Sequence, residues 1–449
     1  MILARPLRRF FHPQLLSSAA IVGAMTIGVK GVAFLKELVL AHRFGTSDEV
    51  DAFLVAMLIP AMAALAVGNA FRDALVPAYA EQRLRGGSDA RQLVSNTVWG
   101  CAVVLLLVAL VSVLFSDSLM KWLAQGFPGE KQARSAQLFY LVVPYLVCVG
   151  VANVLKGYLQ THGQFALSSA APALIPGCTI IALLLMPATP SGEWLALGTS
   201  VGAISLMVLL IVASQRVHRD GLLRRPGWDE PTRSVLRHTV PLLAGTAIIE
   251  GYYFVDTMMA AMLEAGSVAT LAYGERICGV FCIAGAAITQ ALFPHLSDLA
   301  ARGSWRPLIQ TVLGFSGLII AGSIPVILMF WFAAEPIVQF VFERGEFTST
   351  DTRNVAEVLR FAGFQVPGAI LVALGARVVM ALRANHIVLA TAVVGLATNV
   401  ILNLILMRWY GVKGVALSTA LVNGLSALML YTYAAWRLRK LDATTGGEE

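Results

Sequence analysis

Apolar runs of membrane-crossing length, separated by short polar stretches, follow one another along the whole chain. They centre on 17–40, 50–76, 94–116, 136–156, 165–187, 194–215, 238–262, 268–294, 308–340, 355–381, 386–407 and 412–436. A helix rises about 1.5 Å per residue, so roughly 20 residues cross a hydrocarbon core of ~30 Å. Each run therefore predicts one spanning helix, twelve in all. The ninth is long enough to include a re-entrant or interfacial turn near Glu335 and Pro336. Because lipid offers the backbone no hydrogen bonds, spanning segments must satisfy their own, which helices do.

The most polar stretch, QRVHRDGLLRRPGWDEPTRSVLRH (215–238), falls midway and separates six runs from six. Its position predicts an N-terminal lobe over 1–216, a cytoplasmic linker over 217–236 and a C-terminal lobe over 237–440. The tail LDATTGGEE (441–449) reads as disordered. The halves echo each other: DALVPAYAEQRLRGG (73–87) resembles QALFPHLSDLAARGS (290–304), and VVPYLVCVG (142–150) resembles FQVPGAILV (364–372). Both halves cross six times from the same side, the mark of parallel repeats. The fold expected is an all-α polytopic membrane protein, about twelve helices in two six-helix lobes around a central cavity.

Composition agrees. Only 13% of the 449 residues are charged, against about 25% in soluble domains, and the mean hydropathy is +0.74. A net charge of +7 raises the question of nucleic acid, but the basic residues lie scattered between apolar runs rather than in a stripe, so topology accounts for them. Arg5, Arg8, Arg9, Arg83, Arg85, Arg91, Arg216, Arg219, Arg224, Arg225, Arg302 and Arg306 gather in loops on one side. That side is cytoplasmic by the positive-inside rule, with both termini there. The basic start RPLRRFFHPQ precedes a segment too long and too charged for a cleaved signal, and is read as leading into an uncleaved first helix. Cys101, Cys148, Cys178, Cys278 and Cys282 sit in apolar runs without a CxxC pair, as packing residues do. No GxxxxGK[ST], HExxH or GxSxG pattern occurs, so the chain reads as no enzyme.

What remains to explain is charge at bilayer depth, where each charged side chain costs on the order of 2.5–3.5 kcal/mol on insertion scales. GVKGVAFLKELVL (28–40) carries Lys30, Lys36 and Glu37. On a helix Lys30 and Glu37 nearly eclipse, and Lys36 lies about 120° round from Lys30, so all three fit one broad face. Either Lys36 and Glu37 neutralise each other, or the face is functional; Lys30 has no acidic neighbour one turn away. In AYGERICGV, Arg276 cannot shed its proton and must meet water or an anion. Three such cations suit a multiply charged phosphate ligand. Glu250 and Asp256 in AIIEGYYFVDTMMA, Asn399 and Asn403 at i, i+4, and Thr419 offer oxygens that could coordinate a monovalent cation, relay protons, or simply bind helices together.

MTIGVKGVAFLKELVLAHRFGTSDEVDAFLVAMLIP (25–60) resembles the opening of the MviN/MurJ family of lipid II flippases, in the multidrug/oligosaccharidyl-lipid/polysaccharide exporter superfamily. NAFRDALVPAYAE (69–81) and LEAGSVATLAYGERI (263–277) resemble the family's second-helix exit and its seventh-to-eighth helix junction. The resemblance implies a flippase of the bacterial inner membrane that moves an undecaprenyl-pyrophosphate-linked saccharide by alternating access. It places Lys30 and Lys36 where the family has two first-helix arginines, matches Asp51 and Arg276 to further family residues, so that Lys30, Lys36, Arg276 and Asp51 are expected to bind substrate, and gives Asn399, Asn403, Val415 (through its carbonyl) and Thr419 the spacing of a sodium site, with Glu250 a further ligand. Coupling to sodium or protons is implied, and no cofactor. Expected partners are the lipid-linked saccharide, the bilayer, and glycosyltransferases or polymerases of the same pathway, but no nucleic acid. Three departures stand out: lysines replace the arginines, AMAALAV (61–67) lacks the family's second-helix arginine pair, and twelve spans stand against the usual fourteen. They favour a related cargo such as an exopolysaccharide or O-antigen repeat unit. Two alternatives are a cation-coupled multidrug exporter of the same superfamily and a non-transporting scaffold of an envelope-synthesis complex.

Overall fold

The computed structural model describes residues 13–84, 89–187, 189–217 and 226–445. Its helices are α1 (Pro13–Phe44), α2 (Asp48–Leu84), α3 (Asp89–Leu114), α4 (Ser116–Leu123), α5 (Gly129–Thr161), α6 (Phe165–Ala170), α7 (Leu174–Leu185), α8 (Gly192–Val217), α9 (Glu230–Ala260), α10 (Ser267–Ala301), α11 (Trp305–Phe342), α12 (Ser349–Ala362), α13 (Gln365–Ala381), α14 (Asn385–Tyr410) and α15 (Val412–Thr445). A single 3-10 turn, Ala171–Ala173, joins α6 to α7. Among the described residues nine helices are long and apolar enough to cross a membrane, α6 with α7 counting as one, and the pair α12–α13, bent by 41°, makes a tenth. Helices α1 and α9, at 32 and 31 residues, have the length as well and carry the charges inside their runs. The protein is all-helical and polytopic.

Several details depart from the sequence pattern, each for a local reason. There is no re-entrant turn at Glu335: α11 continues through it with a kink at Ala333 (φ −117°, ψ 15°). Pro336 lacks the N–H that would bond Phe332, and its ring crowds that carbonyl. Helix α9 starts at Glu230, inside the expected linker, because the Asp229 carboxylate accepts from the Thr232 N–H (2.9 Å) and caps the first turn. Asn96 of α3 then holds this entry, accepting from the Gly227 N–H (2.9 Å) and donating to Thr232 Oγ1 (2.8 Å). The expected tail is helical as far as Thr445. Arg5, Arg8, Arg9, Arg85, Arg219, Arg224, Arg225 and residues 446–449 lie outside the described residues. Helix α4 escapes a hydropathy reading because it is short; it buries Ser116, Met120 and Leu123 at helical spacing and exposes Lys121 and Trp122.

Packing divides the chain into two compact units. The first comprises Met1–Arg43, Ala56–Trp122 and Gly129–Glu250; the second Phe44–Val55, Leu123–Pro128 and Gly251–Glu449. In the first, Phe71, Leu75, Leu93, Leu105, Leu155 and Tyr158 form the centre of one apolar cluster. Outward side chains such as Leu106, Leu107, Leu110 and Leu114 of α3 are exposed, a surface that water would penalise and acyl chains accept. Without a hydrophobic force between helices in lipid, close approach at small residues has to hold them together. Gly198 and Gly202 of α8 provide it: a Cβ on Gly202 would lie 2.6 Å from Ile175 Cα, and one on Gly198 2.9 Å from Thr179 Cα. The neighbour is backbone and cannot yield. Gly202→Leu should therefore push α7 off α8 and cut the yield of folded protein on size-exclusion chromatography; a wild-type elution profile and melting curve would disprove the close-packing role.

In the second unit α10, α11, α13 and α15 surround Leu296, Leu308, Leu374, Val378 and Leu430. The hydroxyls of Ser316 and Tyr431 meet across it at 2.8 Å, so two polar atoms in an apolar setting satisfy each other.

Candidate functional site

The acidic residue of α9 finds its partners on α14 and α15. Asp256 is 4% exposed. Its Oδ1 accepts from Asn399 Nδ2 at 3.0 Å and Asn403 Nδ2 at 2.7 Å, and its Oδ2 from Thr419 Oγ1 at 2.9 Å. Thr419 Oγ1 also lies 3.3 Å from the Val415 carbonyl. The i, i+4 spacing of the two asparagines puts both amides on one stripe of α14. The same stripe carries Gly395, whose missing side chain admits Tyr252 from α9; the Tyr252 hydroxyl donates to the Ala392 carbonyl at 2.9 Å. Tyr252 and Asp256 thus meet positions 392–395 and 399–403 in step, which fixes the register of α9 on α14.

This cluster brings together five of the residues singled out in the sequence: Asp256, Asn399, Asn403, Val415 and Thr419. A buried carboxylate with no cation beside it costs several kcal/mol unless hydrogen bonds offset the loss of water; here three donors do so. One atom is left over. Asn403 Oδ1 is buried and accepts no hydrogen bond, while the Nδ2 of the same amide donates to Asp256 Oδ1 and, at 3.3 Å, to Asn399 Oδ1. The cluster's carboxylate, amide, carbonyl and hydroxyl oxygens fit a hard monovalent cation. Glu250 is half-buried and belongs to the first unit.

Asp51 has a different place from the ligand surface expected of it. It is fully buried, and its carboxylate accepts from the Gly266 N–H at 2.7 Å and the Ala269 N–H at 2.8 Å. These groups open α10, whose first turn would otherwise leave its donors without partners. A carboxylate there also complements the positive end of the helix. Gly266 has φ +81°, and a Cβ on it would come within 2.9 Å of the Thr46 carbonyl, so the turn from Phe44 to Ser47 fits against it only because it is glycine. Tyr273 closes the junction by donating to the Gly45 carbonyl at 3.1 Å. The sequence gives no sign that Asp51 would meet a backbone 215 residues away. Asp51→Ala should leave two buried N–H groups unsatisfied and lower stability by about 2–4 kcal/mol. Asp51→Asn, keeping one acceptor oxygen, should fall between; equal melting temperatures for all three proteins would refute the cap.

The cations fall in both units. In α1, Lys30 is exposed, whereas Lys36 Nζ lies 2.8 Å from Glu37 Oε1, the mutual neutralisation that adjacent opposite charges allow. In α10, Arg276 is exposed, about 14 Å along the axis from the capped first turn, within a helix apolar enough to span a membrane.

Comparison with known proteins agrees with this architecture. Among solved structures, one titled "Lipid II flippase MurJ, inward closed conformation" superposes with a TM-score of 0.79 at 19% identity over 94% of this chain and 90% of that one. An inward-facing multidrug resistance MATE family transporter of the MOP superfamily superposes at 0.77 with 15% identity, over 95% and 99% of the two chains. At these identities the likeness is one of fold. Among sequences, a probable lipid II flippase MurJ of Vibrio cholerae is 26% identical over 446 residues, covering 93% of this chain and 82% of the relative. One of Rhizobium meliloti is 24% identical over 437 residues, covering 94% and 81%. The family profile described as lipid II flippase MurJ matches residues 40–446, and the chain belongs to that family of membrane transporters.

Proposed function

We propose that this protein carries lipid II outward across the bacterial inner membrane by alternating access. The observation that carries the reading is the family match over residues 40–446. The permanent charge of Arg276, exposed within an apolar helix beside Glu275, supports it. Lys30 and Arg276 are assigned to the pyrophosphate, with Lys36 adding charge when Glu37 releases it. Asp51 acts through α10, by holding the helix that carries Arg276. The lobes are assigned to 1–216 and 237–440, with both termini in the cytoplasm. Glycosyltransferases or polymerases that make and consume the cargo are the partners this chemistry requires.

Asp256, Asn399, Asn403, Thr419 and the Val415 carbonyl are the residues that would hold a coupling sodium ion. Such an ion supplies one positive charge beside the Asp256 carboxylate, and the Asn amides can turn their oxygens toward it. Glu250 is assigned to proton or cation traffic near the same helix. The multidrug-exporter alternative rests on likeness of fold, and Lys30 and Arg276 would repel the cationic cargo of such exporters.

Purified protein in proteoliposomes with fluorescently labelled lipid II tests the proposal. Translocation should exceed protein-free vesicles and depend on an ion gradient or membrane potential. Labelled lipid II that stays in its original leaflet, with a folded protein present, would overturn it.

A further inference from the structure

Helices α10, α11 and α13 line an open apolar cavity of about 290 Å³, bounded among others by Gly285 and Leu292 of α10, Leu318 and Gly322 of α11, and Ile370 and Leu374 of α13. At about 30 Å³ per water-sized group it has room for roughly ten methylenes. Thr289, a hydroxyl in its wall, is turned back on the Ala286 carbonyl at 2.9 Å, so it offers little to water.

Arg377 lies on α13 one turn beyond Leu374, the last residue of that helix to line the cavity. Val366, Ile370 and Leu374 line the cavity from one stripe of α13, and Arg377 continues that stripe one turn on. Its guanidinium lies over the Phe293 ring, 5.8 Å from the centroid. Its Nη1 is 3.9 Å from Met380 Sδ, and its Nε is buried with no hydrogen-bond partner. Among the described residues no carboxylate pairs with it. Trp305 packs in the same cluster as Leu292, Leu374 and Val378, and its Nε1–H is likewise buried without an acceptor. A group that stays charged, faces a ring and a thioether, and adjoins a dry cleft calls for an anion that carries its own apolar chain.

The geometry points to an anionic glycerophospholipid bound here, its phosphodiester on Arg377 and part of one acyl chain in the cavity. A phosphodiester bears one negative charge, matching one guanidinium; a pyrophosphate would call for several cations. The site is separate from the Lys30 and Arg276 assignment and does not depend on what the protein transports.

The test uses the full-length protein in detergent, with lipid retention read by native mass spectrometry and stability by thermal unfolding. Dioleoylphosphatidylglycerol should bind at least about tenfold more tightly than dioleoylphosphatidylcholine, since a hydrogen bond to a net charge is the stronger. Arg377→Gln should lose that preference and Arg377→Lys should keep most of it. A Cβ on Gly322 meets nothing within 4 Å and Gly322 lines the cavity, so Gly322→Leu should occupy part of it and weaken both lipids. Inorganic phosphate alone should stabilise nothing. Equal binding of the two lipids to the wild type, wild-type retention of phosphatidylglycerol by Arg377→Gln and Gly322→Leu, or equal stabilisation by inorganic phosphate would each overturn the proposal.

Discussion

Asp256→Ala is expected to cost the protein about 3–5 kcal/mol of stability, because it strips the acceptor from three buried donors at once. Asn399 and Asn403 lose the oxygen they share, and Thr419 loses its own. Asp256→Asn separates stability from ion binding. The amide keeps the shape and one acceptor, so the fold should survive, while the carboxylate charge at position 256 is gone. In thermal unfolding of purified protein, sodium chloride should raise the midpoint of the wild type above that in potassium or choline chloride, and should leave Asp256→Asn unmoved. An equal sodium shift in both proteins would remove the ion from this site.

Arg276→Glu should reduce translocation of labelled lipid II by about tenfold to a hundredfold. A charge-assisted contact to phosphate contributes about 1.5–3 kcal/mol, each 1.4 kcal/mol is a factor of ten, and reversal adds repulsion to the loss. Lys30→Glu should act in the same direction. Arg276→Lys keeps the charge without the two-pronged fork and should retain intermediate activity. Because Arg276 is exposed, none of these changes should lower the melting temperature much, which distinguishes lost binding from lost fold. Full transport by Arg276→Glu would sink the assignment.

The architecture was largely written in hydropathy, since each spanning helix must supply its own backbone partners and so needs one long apolar run. What hydropathy omits is anything decided by a neighbour distant in sequence. Helix α4 is too short to stand out, and the kink at Ala333 looks like a turn until the helix is seen to continue on both sides. In the candidate cation cluster, the i, i+4 asparagines and the isolated Asp256 were each visible as polar atoms in apolar runs, and only the packing of α9, α14 and α15 shows that they answer one another. Asp51 misled for the opposite reason. It shares the first turn of α2 with Asp48 and Glu49 and is matched to a family residue only by resemblance, yet its partners are the protein's own backbone.

That carboxylate carries an implication for assembly. Residues 44–55 and 123–128 come from the N-terminal half of the chain but pack as part of the second unit. A fragment beginning at residue 226 and running to the end would have no Asp51 with which to seal the opening turn of α10, and the Gly266 and Ala269 amides would lose their acceptor. Severing the polypeptide between 217 and 226 while supplying both pieces together would restore the missing seal. The two halves of the gene product are thus built to be made as a couple, and the C-terminal one is unfinished on its own.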